Sequence, residues 1–199
     1  MAPIRAYYLP ADSTPDIDAS HPVSVEHLNA LGWKLSSVGG SHDEIEQAGR
    51  KVAQELGFPV TQEGCIIPFN FNPEKNAATM DPEVIIADSP REYTLLTSKL
   101  SNSRCEISSA NAAVIVVTSG SPYFDVEDVT TASWIRIHFV AGLLLCAPTG
   151  AKYRISFNEH NRETAGVAFY KETISNHGLL VKGEIDNHPA RQVYLNAHT

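Results

Sequence analysis

Cysteine is scarce and scattered, with three residues in a chain of 199 at positions 65, 105 and 146 and no CxxC pair. An odd number at wide spacing speaks against a disulfide framework and against a zinc cluster. It suits free thiols in a reducing compartment, so a cytoplasmic location is expected. Positive charge is also short. Fifteen Lys and Arg stand against 23 Asp and Glu, a net charge of −8. Phosphate backbones need a basic face, so nucleic acid is not an expected partner. No apolar run reaches the length that crosses a bilayer, and Met1 to Tyr8 carry no secretory apolar core, so no membrane partner is expected. Histidine is absent between His42 and His138. Repeats, linkers and low-complexity stretches are missing too, so residues 1–199 are read as one domain.

What is present is a short α-rich start and a long β-rich remainder. Ile4 to Leu9 reads as a strand, and Ser24 caps a short helix, Val25 to Leu31, closed by Gly32. Trp33 to Val38 reads as a second strand. Ser41 and Glu44 form a capping box before a helix of about 14 residues whose apolar positions are Ile45, Ala48, Val52, Ala53 and Leu56. His42, Asp43 and Glu44 fall in its first turn, where acidic side chains complement the dipole, and they are read as a solvated helix end. The stretch 58–90 is broken by five prolines and carries two apolar runs, Cys65-Ile66-Ile67 and Val84-Ile85-Ile86-Ala87. Arg91 to Lys99 is a further helix candidate.

From Arg104 the chain reads as strands with turns at short intervals, which implies a sandwich or small barrel. Ala112–Thr118, Tyr123–Val126, Trp134–Val140, Leu143–Ala147, Tyr153–Phe157 and Val167–Tyr170 are the runs. Glu127-Asp128 is read as an acidic turn, and Glu159-His160 with Glu163 as a charged hairpin turn. Residues 1–100 supply N-terminal strands and helices, 101–174 the barrel, and 175–199 a polar tail wrapped outside.

Three phrases carry a resemblance: Gly120-Ser121-Pro122-Tyr123-Phe124-Asp125-Val126, Trp134-Ile135-Arg136-Ile137, and Gly142, Pro148 and Gly150 followed two residues later by position 153. The last has the spacing of the second cupin motif. With Tyr7-Tyr8 and the run 22–32, they resemble the acireductone dioxygenases, cupin enzymes of methionine salvage. The resemblance implies an all-β cupin barrel or jelly roll with N-terminal helices packed outside. In that family three histidines and one glutamate hold Fe(II) or Ni(II), and acireductone is split with O2.

The same resemblance shows what has been replaced. The family's first motif, His-x-His-x3-Glu-x6-Gly, anchored at Gly120, puts ligands at 107, 109 and 113, and this chain has Ile107, Ser109 and Ala113 there. The fourth ligand falls on Tyr153, and a family arginine falls on Ile115. No histidine upstream lies near enough to restore the set by shifting the alignment. Ile and Ala have no donor atoms, and a neutral phenol is a weak ligand. No metal and no cofactor are therefore expected.

The leading expectation is a metal-independent isomerase, cyclase or lyase acting on an apolar, oxygen-bearing small molecule. In it Ile107, Ala113, Ile115 and Val117 form the walls with Asn111, Tyr153 polarises an oxygen, and Ser109 or His138 assists. His138 lies in a strand whose luminal face the sequence does not reveal. Two other readings stand beside it: a non-catalytic ligand- or partner-binding protein, and a dioxygenase with relocated ligands. A monomer or homodimer is expected.

Overall fold

The computed structural model describes residues 4–9, 21–71, 106–156, 163–173, 179–181 and 184–198. The strand candidate Val84–Ala87, the helix candidate Arg91–Lys99 and the turn residues Glu159-His160 lie outside them.

Two helices lie in the N-terminal part of the chain. α1, Val25–Ala30, begins where the Ser24 hydroxyl accepts the His27 backbone N–H at 3.1 Å. α2, His42–Glu55, opens on the expected capping box, with the Ser41 N–H donating to Glu44 at 2.6 Å and the Glu44 N–H donating to Ser41 Oγ at 3.4 Å. Its packed face differs in part from the expected one. Ile45, Gly49 and Ala53 are buried, whereas Leu56 is 40% exposed. Gly49 is the point of closest approach, since a Cβ there would collide with Val116. The helix therefore turns its small residue, rather than Ala48 or Leu56, to the sheet.

Eleven strands among the described residues form two antiparallel sheets. The six-stranded sheet runs β1 (Ala6–Tyr8), β7 (Ser133–His138), β6 (Tyr123–Asp128), β9 (Lys152–Ser156), β4 (Glu106–Ser109), β11 (Leu179–Val181). The five-stranded sheet runs β2 (Lys34–Ser37), β8 (Leu143–Ala147), β5 (Ala113–Ser119), β10 (Thr164–Tyr170), β3 (Ile66–Phe71). The expected β architecture is present as two sheets, and no strand pairing joins one sheet to the other among the described residues. β3 sits at an edge, where Pro68 removes no ladder hydrogen bond from a second neighbour.

Two apolar clusters divide the strands by parity. Ala113, Ile115 and Val117 of β5 join the larger cluster between the sheets, while Val114 and Val116 face α2 in the smaller one. The motif glycines are explained by turns: Gly120, Gly142 and Gly150 have φ of 86°, 87° and 81°. In each case a Cβ would strike a backbone oxygen, of Glu163, Val38 and Ala190 respectively.

Two expectations are corrected. Glu127 and Asp128 are not a turn; β6 runs through both, and the turn follows at 129–132 with Ala132 at φ 53°. Each carboxylate has a partner that replaces water, Arg191 for Glu127 and Tyr8, His27 and Thr130 for Asp128. Nor are residues 175–199 merely a polar wrapping. β11 pairs with β4, and α3, Pro189–His198, buries Arg191 and Tyr194. The Arg191 guanidinium donates to Gly150 O at 3.3 Å and Glu127 Oε1 at 2.8 Å, and the Tyr194 hydroxyl donates to Leu31 O at 2.9 Å. A polar composition hid these contacts because the anchors are themselves polar. No helix among the described residues is long and apolar enough to cross a membrane.

Candidate functional site

One lateral row of residues crosses the six-stranded sheet. In register, Tyr8 pairs with Ile135, Ile135 with Val126, Val126 with Tyr153, and Tyr153 with Ile107. Directly opposed antiparallel residues share a face. That face belongs to the large apolar cluster, which holds Phe124, Val126, Ile135, Ile137, Phe139 and Tyr153. The opposing sheet adds Ala113, Ile115 and Val117 to the same cluster. The structure thus brings four sequence-derived candidates together: Tyr153, Ala113, Ile115 and Val117.

Tyr153 is one of the polar points of this interior, with Tyr170 and Tyr194 in the same cluster. It is only 4% exposed. Its ring stacks on Phe124 at 5.7 Å and stands edge-on to Trp33 at 6.1 Å. Burial pushes its phenol well above the usual value, and the neighbouring Tyr170 pushes it the same way. Tyr170 is the Cα partner of Ala113 on the adjacent strand. A phenol in this setting stays protonated at any ordinary pH and acts as a hydrogen-bond donor.

The remaining candidates are placed elsewhere or by register alone. Ile107 pairs with Tyr153 and Val181, and Ser109 pairs with Leu179. Asn111 is half-buried in the bend between β4 and β5 rather than in a strand. His138 lies on the opposite face from Tyr153, because Ile135, Ile137 and Phe139 take the interior and alternation sends Arg136 and His138 outward. Its ring meets Tyr123 at 5.4 Å, and its pKa is lowered by burial and by the nearby Arg5. On that outer face Arg136 grips Asp125 with two bonds of 2.6 and 2.8 Å, both side chains buried, and lies over the Tyr123 ring. The structure does not assemble His138 with Tyr153.

Sequence reasoning missed three side chains at the end of the interior face. Asp128 Oδ2 accepts the Tyr8 hydroxyl at 2.7 Å and His27 Nε2 at 2.8 Å. The signal was the alternation Phe124, Val126, Asp128, which puts a carboxylate on an apolar face where it needs donors.

No family model matches the chain. A curated acireductone dioxygenase of Yarrowia lipolytica is 26% identical over 98% of this chain and 98% of its own length. Acireductone dioxygenase 1 of Coprinopsis cinerea is 27% identical over 79% of this chain and 78% of its own. A solved acireductone dioxygenase of Bacillus anthracis, with a cadmium ion in its active centre, superimposes with a TM-score of 0.57, at 12% identity, over 89% of this chain and 96% of that one. Over nearly its whole length the chain is similar to acireductone dioxygenases, and it shares their fold. In this chain the expected ligand positions carry Ile107, Ser109, Ala113 and Tyr153. Among the described residues no three of His, Cys, Asp and Glu come together in a group that could hold a metal ion.

Proposed function

We propose that this acireductone-dioxygenase-like chain works without the family's metal. Its two sheets serve as the walls of a cupin barrel that receives an apolar, oxygen-bearing small molecule. Tyr153 donates a hydrogen bond to that oxygen. The observation that carries the reading is the buried, protonated phenol of Tyr153, which the resemblance aligns with the fourth ligand. A phenol in that state donates to oxygen and is a poor partner for a divalent ion. Ala113 offers the ion nothing, and nitrogen or carboxylate donors, which such an ion requires, are missing from all four positions. The family's ion does not fit these residues, and no step is routed through it.

Isomerisation, cyclisation or dehydration match such an interior, because they need shape and proton handling. Ile115 and Val117 would hold the substrate folded, and Ser109 and Asn111 are the assisting candidates. We place the protein in the cytoplasm as a monomer or homodimer, with a small molecule as its partner and neither nucleic acid nor membrane. The unpaired Cys65 and Cys146 agree with a reducing compartment.

The packing of Tyr153 against Phe124 and Trp33 favours a second reading, a binding protein without turnover. A thermal-shift screen with apolar ketones, lactones and alcohols, followed by mass-spectrometric detection of product, separates the two. Ligand-dependent shift and product, both lost in Tyr153→Phe and reduced in Ser109→Ala, are the expected result. Product formation that persists in Tyr153→Phe would sink the leading reading, and binding without product would favour the second.

A further inference from the structure

The proposed reactions need a proton acceptor as well as a donor, and a protonated Tyr153 supplies only the donor. Three polar side chains from β1, α1 and β6 meet where the interior face ends. Asp128 Oδ2 accepts the Tyr8 hydroxyl at 2.7 Å and His27 Nε2 at 2.8 Å. Its Oδ1 accepts the Thr130 N–H at 2.9 Å and the Thr130 hydroxyl at 2.6 Å. The carboxylate is fully buried, with 0% of its side chain exposed. Burial alone would raise its pKa; the bonds from Thr130, Tyr8 and His27 outweigh that and hold it well below the usual carboxylate range.

This network assigns the tautomer of His27. The single Tyr8 proton goes to Asp128, so the hydrogen between the ring and Asp128 belongs to Nε2. A neutral imidazole then carries its lone pair on Nδ1, which no side chain engages among the described residues. The His27 side chain is 35% exposed, so this nitrogen belongs to a ring that solutes reach. Asp128 stands two residues beyond Val126, about 7 Å along the strand on the same face, and Val126 is the register partner of Tyr153. The imidazole therefore sits at the rim of the apolar surface on which the Tyr153 phenol lies.

We propose that His27 is the catalytic base of this site, that Asp128 and Tyr8 are its positioning residues, and that the substrate is an apolar ketone with an acidic C–H beside the carbonyl. This rests on the reading of Tyr153 given above. His27 Nδ1 takes the proton from that carbon. The C–H electron pair becomes a carbon–carbon double bond, and the carbonyl π pair moves onto the oxygen that Tyr153 holds. The oxygen pair then re-forms the carbonyl as the double-bond pair takes a proton back on the other face of the same carbon, which completes an epimerisation with no oxidant or reductant.

The probe is 2-tetralone, an apolar enolisable ketone, with exchange of its α-protons followed by NMR in D2O. Wild type should exchange them about a hundredfold faster than buffer. His27→Gln should abolish the acceleration. Asp128→Asn should lower kcat at least about tenfold with KM unchanged, a split that a purely structural role would not give. Loss in Tyr153→Phe with full rate in His27→Gln would overturn His27 as base and leave Tyr153 in place. Loss in His27→Gln with full rate in Tyr153→Phe would uphold the base and remove the donor. No acceleration by wild type would overturn both. Diethyl pyrocarbonate labelling of the wild-type chain, read by mass spectrometry, needs no variant to fold. His27 should be acylated first among the eight histidines, and a His27 slower than the rest would overturn the proposal.

Discussion

The two faces of β6 and β7 are built from alternate residues of the same strands and solve the problem of polar groups in opposite ways. The outer face keeps charge inside the protein. Asp125 and Arg136 are both buried there and joined by two short bonds. The interior face carries Phe124, Val126, Ile135 and Ile137 and admits one carboxylate, Asp128, at its end. That carboxylate has donors on both oxygens. The difference teaches that a buried charge persists where its partners are supplied, and that its removal is cheap where all of them leave together. At positions 107, 109, 113 and 153, where the resemblance puts the family's donors, the chain carries Ile, Ser, Ala and Tyr, so no carboxylate or imidazole stands there in need of partners.

Breaking the outer pair should have the largest effect. Asp125→Ala leaves Arg136 buried without its anion and should cost about 3–5 kcal/mol in urea unfolding. A loss under about 1 kcal/mol would erase the contrast between the faces. Asp128→Asn weakens charge-assisted bonds and should cost about 1–3 kcal/mol at neutral pH. It should also change the acid limb. The Asp128 carboxyl is depressed in the folded state, so its contribution is present above the unfolded carboxylate value of about 3.9 and lost as pH falls below that toward the lower folded value. Wild type should therefore lose more stability than Asp128→Asn between pH 5 and pH 2, read as the shift in melting temperature. Ile137→Val on the interior face should cost about 0.5–1.5 kcal/mol, an ordinary packing loss. Tyr153→Phe should change stability by only about 0.5 kcal/mol while removing the ligand response. A large destabilisation there would mean that the hydroxyl is a structural anchor and would favour the reading without catalysis.

Much of the fold was legible because local signals agreed with tertiary contacts. Ser24 and Ser41 announced both helix starts, and the glycine spacing at 142 and 150 announced turns that only a left-handed residue makes. Parity along β5 puts Ala113, Ile115 and Val117 on one face, and the packing agrees. What stayed hidden depends on partners distant in sequence. Asp128 looked like a surface turn because its donors sit 101 and 120 residues away. The face of β7 that holds His138 could not be read from Trp134, Arg136 and His138 themselves, since the side that packs is decided by the opposing sheet. Arg191 and Tyr194 made the last stretch look polar while serving as its anchors.

The central claim, that the interior no longer holds the family's ion, is tested most directly by metal analysis. Untagged protein, purified and then equilibrated with Fe(II) or Ni(II), should carry far less than one equivalent after desalting, and its melting temperature should not respond to either ion. One equivalent of Fe or Ni retained per chain, lost on substitution of Tyr153 or its neighbours, would contradict the account.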